Sequence, residues 1–385
     1  MSPTSAEPLS HIPALDWVRG IAILLVLVFH AATFTMNIGT VPLVGLDRLY
    51  YLVCGAGWCG VDLFFVLSGL LITRILLHAK TQEHYFRNFY ARRVLRIFPL
   101  YYLVVAAYLA LASVFHFPYG RTAAPWLLTY TSNIIVAFKP WFVIPLPLAH
   151  FWTLAIEEQF YLLWPLCVLL LSKRGLLLLS VAIFAVAFGM RLWFAGAHNM
   201  VGAFRFTLCR LDALALGGAA AVCLGSARGP LLRRLCGYLA LFSGIALLAV
   251  SAWKQAFSPD DFVTATFGIG LLALFFASSL FLLVSRPGTS AIAGRTQAVL
   301  ATFGRYAYGM YVFHQPLLTA IVRIKGAHPF PVIMGSQVPC QALFALLLIG
   351  ATLLIAMCSF HLVEKRFLRL KALFEYDGPA AQAGS

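Results

Sequence analysis

Residues 15–32 read LDWVRGIAILLVLVFHAA, an apolar run in which no other polar side chain separates Arg19 from His30. On a helix, about 100° per residue brings these two side chains to nearly the same face, roughly 16 Å apart along the axis. Ionisable groups inside a membrane helix are costly and usually face a polar cavity or a partner, so the pair indicates a functional site. The alternative is that Arg19 only reaches the lipid headgroups and His30 marks the end of the helix.

The composition is that of a membrane protein. Of 385 residues, 62% are hydrophobic and 11% are charged, against about 25% charged in soluble domains. Apolar runs long enough to span a bilayer recur along the chain. We therefore predict an all-α polytopic membrane protein, with about ten transmembrane helices enclosing a polar cavity. The expected spans are residues 14–35, 51–78, 97–115, 151–171, 175–194, 208–226, 235–252, 262–285, 303–323 and 340–361.

Two parts of the chain are expected not to cross the membrane. The region 126–148 contains an apolar stretch that is short and bracketed by prolines, which favours a re-entrant or interfacial segment. Residues 376–385 are short and polar and are expected to form a disordered cytosolic tail. Residues 1–375 are expected to form a single membrane domain.

The distribution of the basic residues that give the net charge of +15 indicates how the chain is oriented in the membrane. With the N-terminus inside and ten spans, most Lys and Arg residues fall on the cytosolic side, as the positive-inside rule requires. Both termini are therefore expected in the cytosol, in a multi-pass protein of the cytoplasmic membrane that contacts membrane lipids. A nucleic-acid partner is not indicated. Asp16 and Arg19 intrude on the first apolar run and no A-x-A site follows it, so an uncleaved first helix is expected.

The second expected span and the loop behind it carry charge. The span holds Asp62 within the sequence GVDLFFVLSG, and the loop holds RRVLR, which contains Arg93 and Arg96. Asp62 is either a functional acid or a hydrogen-bond partner of a neighbouring helix. Arg93 and Arg96 either belong to a functional site or contact lipid headgroups.

The fourth expected span contains two adjacent acids, Glu157 and Glu158, in the sequence HFWTLAIEEQFY that begins at His150. Two acids inside an apolar span are expensive unless they are hydrated, paired or protonated. This indicates a functional site. The competing interpretation is a structural pair that is locked to Arg205 or Arg210.

The order of these motifs closely resembles that of the acyltransferase family 3 integral membrane proteins. The chain has Arg-x10-His in span one, GVDLFFVLSG in span two, Arg-x-x-Arg after it and IEEQFYLLWP in span four. Later matches are RLDALALG from residue 210, YGMYVFHQP from residue 308 and HLVEKRFLRL from residue 361. The resemblance covers residues 12 to about 371. It departs at positions such as Ala155 and Leu211, where many relatives have Ser and Ala, and these bear on packing.

The resemblance implies an acyltransferase. Family members move an acyl group, commonly acetyl, from cytosolic acyl-CoA onto a hydroxyl of a glycan, a lipid-linked sugar or a macrolide. Acyl-CoA is then a co-substrate. No cluster of residues has metal-ligand spacing, so no metal is expected. Some relatives carry an extra C-terminal esterase-like domain; the bare ten-span form is expected here.

The donor site that the resemblance implies consists of Arg19, Arg93 and Arg96. These residues face the cytosol, where CoA carries its phosphates, and Arg pairs well with phosphate. The pantetheine arm is comparable in length to the rise between Arg19 and His30. The thioester is therefore expected deep in the membrane beside His30.

The expected catalytic residues are His30, Glu157 and Asp62. His30 acts either as general base for the acceptor hydroxyl or as the site of an acyl-imidazole intermediate. Glu157 or Asp62 is expected to shift the pKa of the His30 imidazole. Glu157 is expected at the depth of His30 and open to the same cavity, whereas Glu158, about 100° around the helix, points elsewhere.

Two other classes of protein remain as alternatives. A proton-coupled transporter would use His30, Asp62 and Glu157 as a relay, but no internal repeat of the kind common in transporters is found in the sequence. A scaffold or lipid-binding subunit would not need so many charges inside the membrane. Release of free CoA in proportion to acyl product distinguishes the enzyme from the transporter.

Overall fold

The computed structural model describes residues 12–35, 45–115, 119–139, 144–285, 294–326 and 330–376. These residues form helices joined by short turns, and the only β feature among them is an isolated bridge between Ile333 and Ser336. The predicted all-α class is confirmed. The division into one membrane domain and a tail stays a prediction, and residues 377–385 of that tail lie outside the described part of the chain.

The described residues contain fifteen α-helices. Their bounds are α1 Pro13–Thr35, α2 Gly45–Gly55, α3 Gly60–Ala79, α4 Tyr85–Val114, α5 Gly120–Leu128, α6 Ser132–Phe138, α7 Trp152–Leu170, α8 Lys173–Gly196, α9 Met200–Arg205, α10 Thr207–Leu224, α11 Gly229–Lys254, α12 Ile269–Val284, α13 Gly294–Lys325, α14 Val338–Ser359 and α15 Lys365–Arg369. Short 3-10 segments precede α3 and α7 and follow α15, and single π turns precede α12 and α15.

Nine stretches of the described chain are long and apolar enough to cross a membrane, and they match nine of the ten expected spans. The remaining expected span, 303–323, lies within α13, a 32-residue helix that also carries polar residues. Two of these, His314 and Gln315, are buried inside the bundle. Helix α13 packs against α1 and α14, so the expected ninth span is present as a helix of the bundle.

The region 126–148 does not form a long helix in its described residues. It contains the end of α5, the whole of α6 and part of a 3-10 turn that leads into α7. Neither α5, with 9 residues, nor α6, with 7, is long enough to cross a bilayer, which needs about 20. This agrees with the expected re-entrant or interfacial segment.

Glycines allow the central helices to approach closely. A side chain at Gly69 of α3 would collide with the backbone of Leu214 on α10, and one at Gly304 of α13 would collide with the backbone of Asp16 on α1. Small residues let helix backbones meet in this way inside membranes. The two contacts fix the helices that carry Ser68 and Arg19.

Two buried ion pairs join α10 to its neighbours. Arg210 donates to Asp62 of α3 at 2.8 Å, and Asp212 accepts from Arg191 of α8 at 2.6 Å. All four side chains are fully buried. Removing one partner of such a pair leaves an uncompensated charge in an apolar interior, so the pairs tie α3, α8 and α10 together.

Candidate active site

A cavity of about 990 Å³ opens between α1, α3, α4, α7, α13 and the segment 371–376. Its volume is at the upper end of the range for small-molecule sites. Basic side chains gather at one end, which we call the basic end. They are Arg19, Arg74, Arg92, Arg93, Arg96 and Lys371.

The basic end receives side chains from α1, α3, α4 and the 3-10 segment that follows α15. Arg93 and Arg96 lie three residues apart on α4 and therefore share a face. The Arg93 guanidinium lies over the ring of Tyr161 at 5.7 Å, and Arg19 donates to Asp16, one turn earlier on α1, at 2.8 Å. The three arginines expected in the donor site thus line one cavity.

The last described residues of the chain close part of this end. Asn88 donates to the carbonyl oxygen of Glu375 at 3.0 Å, and Arg92 donates to that of Phe374 at 3.3 Å. Glu375 and Tyr376 contribute to the cavity wall. The segment 374–376 is therefore part of the site.

Glu157 lies in the cavity wall on α7. Its carboxylate accepts a hydrogen bond from Ser68 at 2.7 Å, and Tyr161 donates to the same Ser68 oxygen at 3.1 Å. Glu158 is absent from the described wall, and its Oε1 atom has no hydrogen-bond partner among the described residues. As expected, Glu157 rather than Glu158 opens onto the cavity.

Two hydroxyl groups mark the end of the cavity opposite the arginines. The oxygens of Thr153 and Tyr311 lie 2.6 Å apart, and Tyr311 also donates to the carbonyl oxygen of His150 at 2.9 Å. Thr153 precedes Tyr161 on α7 by about 12 Å of helix. This hydroxyl pair therefore lies well away from the basic end.

Three histidines pack behind Tyr311. The ring of His314 is 4.9 Å from that of His30 and 4.7 Å from that of His150, and both contacts are edge-to-face. The Tyr311 ring is 5.1 Å from His150 and 5.4 Å from His314. We call His30, His150 and His314 the histidine cluster. His30 is not among the described residues of the cavity wall, and it contacts His314, which in turn contacts the wall residue Tyr311. The catalytic role of His30 stays a prediction.

The hydrogen bonds of His30 and His314 fix which ring nitrogen carries the proton. His30 Nδ1 lies 2.8 Å from the carbonyl oxygen of Val26, and His314 Nδ1 lies 2.6 Å from that of Tyr311. Because a carbonyl oxygen only accepts, each Nδ1 must be the donor. In the neutral ring, Nε2 of each residue then carries the lone pair that a base requires.

Asp62 is not brought to the cavity. It is fully buried, pairs with Arg210 and does not belong to the described wall. The interpretation of Asp62 as a partner of a neighbouring helix therefore fits its position, and its expected catalytic role stays a prediction. The ion pair also occupies Arg210, whose partner is Asp62 rather than Glu157 or Glu158. Asp62 therefore does not lie in the described cavity wall with Glu157, as a transporter relay through His30, Asp62 and Glu157 would need.

Sequence reasoning missed Ser68, Thr153, Tyr311, His150 and His314 as parts of the site. All five lie within motifs already quoted from spans two, four and nine, so their segments were recognised and their roles were not. Thr153 and Tyr311 are 158 residues apart in the chain. They are brought together where the 3-10 turn that leads into α7 packs against α13.

Fold and site define a polytopic membrane protein whose interior cavity is basic at one end and lined by hydroxyl groups at the other. Residues 12–361 match the family described as the acyltransferase domain. The chain therefore belongs to this acyltransferase family.

Similar curated proteins are O-acetyltransferases. The chain is 26% identical to the peptidoglycan O-acetyltransferase OatA of Listeria monocytogenes over 94% of its own length. It is 26% identical to a putative peptidoglycan O-acetyltransferase of Bacillus subtilis over 92%, and 27% identical to a putative O-acetyltransferase of Staphylococcus aureus over 96%. It covers 57%, 54% and 60% of the length of these relatives, respectively. No solved structure matches the chain.

Proposed function

We propose that the protein transfers an acetyl group from cytosolic acetyl-CoA to a hydroxyl group of a carbohydrate acceptor. This proposal rests on the cavity, which has arginines at one end and the Thr153–Tyr311 hydroxyl pair at the other. Such a cavity suits a long donor with phosphates at one end and a thioester at the other. The family and the names of the relatives support acyl transfer.

The donor is proposed to enter with its phosphates at the basic end. Arg19, Arg93 and Arg96 line this end together, and guanidinium groups form strong charge-assisted hydrogen bonds with phosphate. In keeping with the positive-inside rule, the basic end is proposed to face the cytosol, in a protein of the cytoplasmic membrane that contacts membrane lipids. The acetyltransferase names of the relatives favour acetyl-CoA as the proposed co-substrate.

The acyl group is proposed to react at the end of the cavity that Thr153 and Tyr311 line, next to the histidine cluster. The acceptor oxygen attacks the acyl carbon, the bond from that carbon to sulfur breaks, and the acceptor proton passes to Nε2 of His30. CoA leaves as the thiol after it gains a proton. Two routes are compatible with this chemistry: direct transfer, or a first transfer to Nε2 of His30 followed by attack of the acceptor.

Glu157 is proposed to act on this reaction from the cavity wall. Its bonded partner Ser68 and the nearby Tyr161 hold its carboxylate in a fixed orientation. A carboxylate held in this way stabilises positive charge that develops on an imidazole. Asp62 has no direct chemical role in this proposal and holds α3 against α10.

A glycan is the proposed class of acceptor. Two of the relatives are named peptidoglycan O-acetyltransferases, one of them as putative, and this favours a cell-wall sugar. A lipid-linked sugar or a macrolide, which the family resemblance also implies, would present the same kind of hydroxyl group. The acceptor panel therefore includes all three.

The test is turnover by the purified full chain in lipid nanodiscs. The protein is incubated with ¹³C-labelled acetyl-CoA and, in parallel, a muramic-acid-containing disaccharide, an undecaprenyl-linked sugar and a macrolide. Free thiol is measured against acetylated product by mass spectrometry. We expect equal amounts of CoA and acetylated sugar. If acetylated product forms without release of CoA, acetyl-CoA is not the donor. If CoA is released but the macrolide alone is acetylated, a glycan is not the acceptor.

A further inference from the structure

A second cavity, of about 620 Å³, lies where helices α3, α7 and α10 end and helix α8 begins. Its described wall carries the cations Arg74, Lys80 and Lys173 together with His78, and it contains no acidic residue. Acids as well as bases line the first cavity. A concave surface that carries charge of one sign concentrates ions of the opposite sign, so the second cavity favours an anionic ligand.

Arg74 and His78 belong to the walls of both cavities. They lie four residues apart on α3 and therefore share a face, with His78 about 6 Å nearer the end of the helix. Arg74 is half-buried, and its side chain makes no hydrogen bond or ion pair with the described residues. Its guanidinium group, with five N–H donors, is thus available to an anion where the two cavities adjoin.

The two lysines of the second cavity differ in their contacts. Lys80 donates to the carbonyl oxygens of Val168 and Leu171 at 2.7 and 2.8 Å, and so caps the end of α7. Lys173 is the exposed first residue of α8 and makes no hydrogen bond or ion pair with the described residues. A Cβ atom at Gly225 would lie 3.9 Å from Lys173 Nζ, so the ammonium group reaches the end of α10. Because a cation at the start of a helix opposes the helix dipole, Lys173 does not stabilise α8.

The proposed donor carries phosphate in two places. A diphosphate lies in the main chain of CoA, and a phosphomonoester branches from the 3′ carbon of its ribose. The proposed function puts the diphosphate against the arginines of the basic end. The branch then needs a second anion site directly beside the first, and the second cavity meets this condition because it shares Arg74 and His78 with the basic end.

We propose that the second cavity is a phosphomonoester site that takes the 3′-phosphate of the CoA donor, with Lys173 and Arg74 as its cationic contacts. This inference rests on the proposed function. It makes the second cavity the part of the protein that distinguishes CoA from 3′-dephospho-CoA. The headgroup of phosphatidic acid carries the same phosphomonoester chemistry, so the experiment includes this lipid as a competing source.

The experiment measures binding of CoA and of 3′-dephospho-CoA by isothermal titration, with the full chain in phosphatidylcholine nanodiscs. We expect the wild type to bind CoA about 10–150-fold more tightly, the usual value of a charge-assisted contact to phosphate. Lys173→Glu should reduce this preference to about threefold or less and leave the affinity for dephospho-CoA within about twofold of the wild type. An acid suits the first turn of a helix, so α8 should stay folded. Arg174→Glu is the matched control, because Arg174 is the next exposed residue of α8 and lies outside both described walls; it should keep the wild-type preference.

Three results would overturn the inference and leave the proposed donor in place. They are equal binding of CoA and dephospho-CoA by the wild type, an unchanged preference in Lys173→Glu, and the same loss of preference in Lys173→Glu and Arg174→Glu. A preference that disappears when phosphatidic acid is added to the nanodiscs assigns the cavity to a lipid headgroup and also overturns it. If Lys173→Glu does not fold, Lys173→Ala is judged by the same criteria. A wild type that binds neither nucleotide overturns the proposed donor and this inference together.

Discussion

Arg210 and Asp62 are 148 residues apart in the chain, yet their side chains meet at 2.8 Å in the fully buried interface between α10 and α3. The pair places Asp62 in the framework of the bundle. Substitution of an acid that pairs with a charge on another helix lowers the stability of the protein. Substitution of an acid that faces a substrate lowers activity and leaves stability largely unchanged.

Asp62→Ala should destabilise the protein. The change leaves Arg210 buried without its partner, which costs about 3–5 kcal/mol in comparable pairs. Thermal unfolding of the purified variant should show a lower midpoint and a lower folded yield. Asp62→Asn combined with Arg210→Gln should be less damaging than the two single changes added together. A normally stable Asp62→Ala protein without activity would instead assign Asp62 to catalysis.

His30→Ala and His30→Asn should both abolish acetyl transfer while the protein stays folded. Asparagine keeps a donor near the Val26 carbonyl but lacks Nε2, so its inactivity would identify Nε2 as the reacting nitrogen. We expect a loss of about 10²–10⁴-fold in kcat. Acetylated product is counted by mass spectrometry at matched thermal stability. Wild-type turnover by either variant, or by His30→Gln, contradicts the general-base proposal.

Arg93→Ala and Arg96→Ala should weaken donor binding more than they slow the chemical step. Loss of a charge-assisted contact to phosphate removes about 1.5–3 kcal/mol, or about 10–150-fold in affinity. Isothermal titration with CoA measures the effect. Arg234→Ala, on an exposed part of α11 outside the described cavity wall, is the control and should bind normally. Unchanged affinity with impaired membrane insertion would make the two arginines topology signals.

Glu157→Gln should cost more activity than Glu158→Gln at equal expression. Glu157 lies in the cavity wall and accepts from Ser68, whereas Glu158 is absent from the described wall. Residues that orient a catalytic group typically contribute about 10–100-fold, which sets the expected difference in kcat. Product formation at saturating acetyl-CoA is the measurement. A larger loss for Glu158→Gln would reverse the assignment.

The fold could be predicted because membrane spans are decided locally. Length and hydropathy predict each span, and they were sufficient to place α1, α7 and α8 within a few residues. The expected second span, 51–78, ends with α3 but also includes the end of α2 and the 3-10 turn before α3. Helix α13 was also located, although its polar residues lower its hydropathy, because its motif lies in an apolar stretch. The boundaries of α4 and α11 were less accurate, since both helices extend beyond the apolar core into basic segments.

The site could be predicted only in part, because spacing along one helix says little about contacts between helices. Arg93 and Arg96 share a face by their spacing, and the family motif placed Arg19 with them. The partner of Asp62 and the contact between His30 and His314 depend on how separate helices pack. Each buried acid could pair with a basic residue on any of several helices, and the local sequence does not determine which of these pairs forms.

The two ion pairs of α10 have a consequence for how the protein is made. A charged residue at the centre of a membrane helix costs about 2.5–3.5 kcal/mol on insertion scales, and α10 carries both Arg210 and Asp212. Their partners, on α3 and α8, are synthesised first. Helix α10 can thus enter the bilayer beside helices that already present the opposite charges. Reporter fusions placed after α10 should report its native orientation only when the upstream chain, including Asp62 and Arg191, is intact.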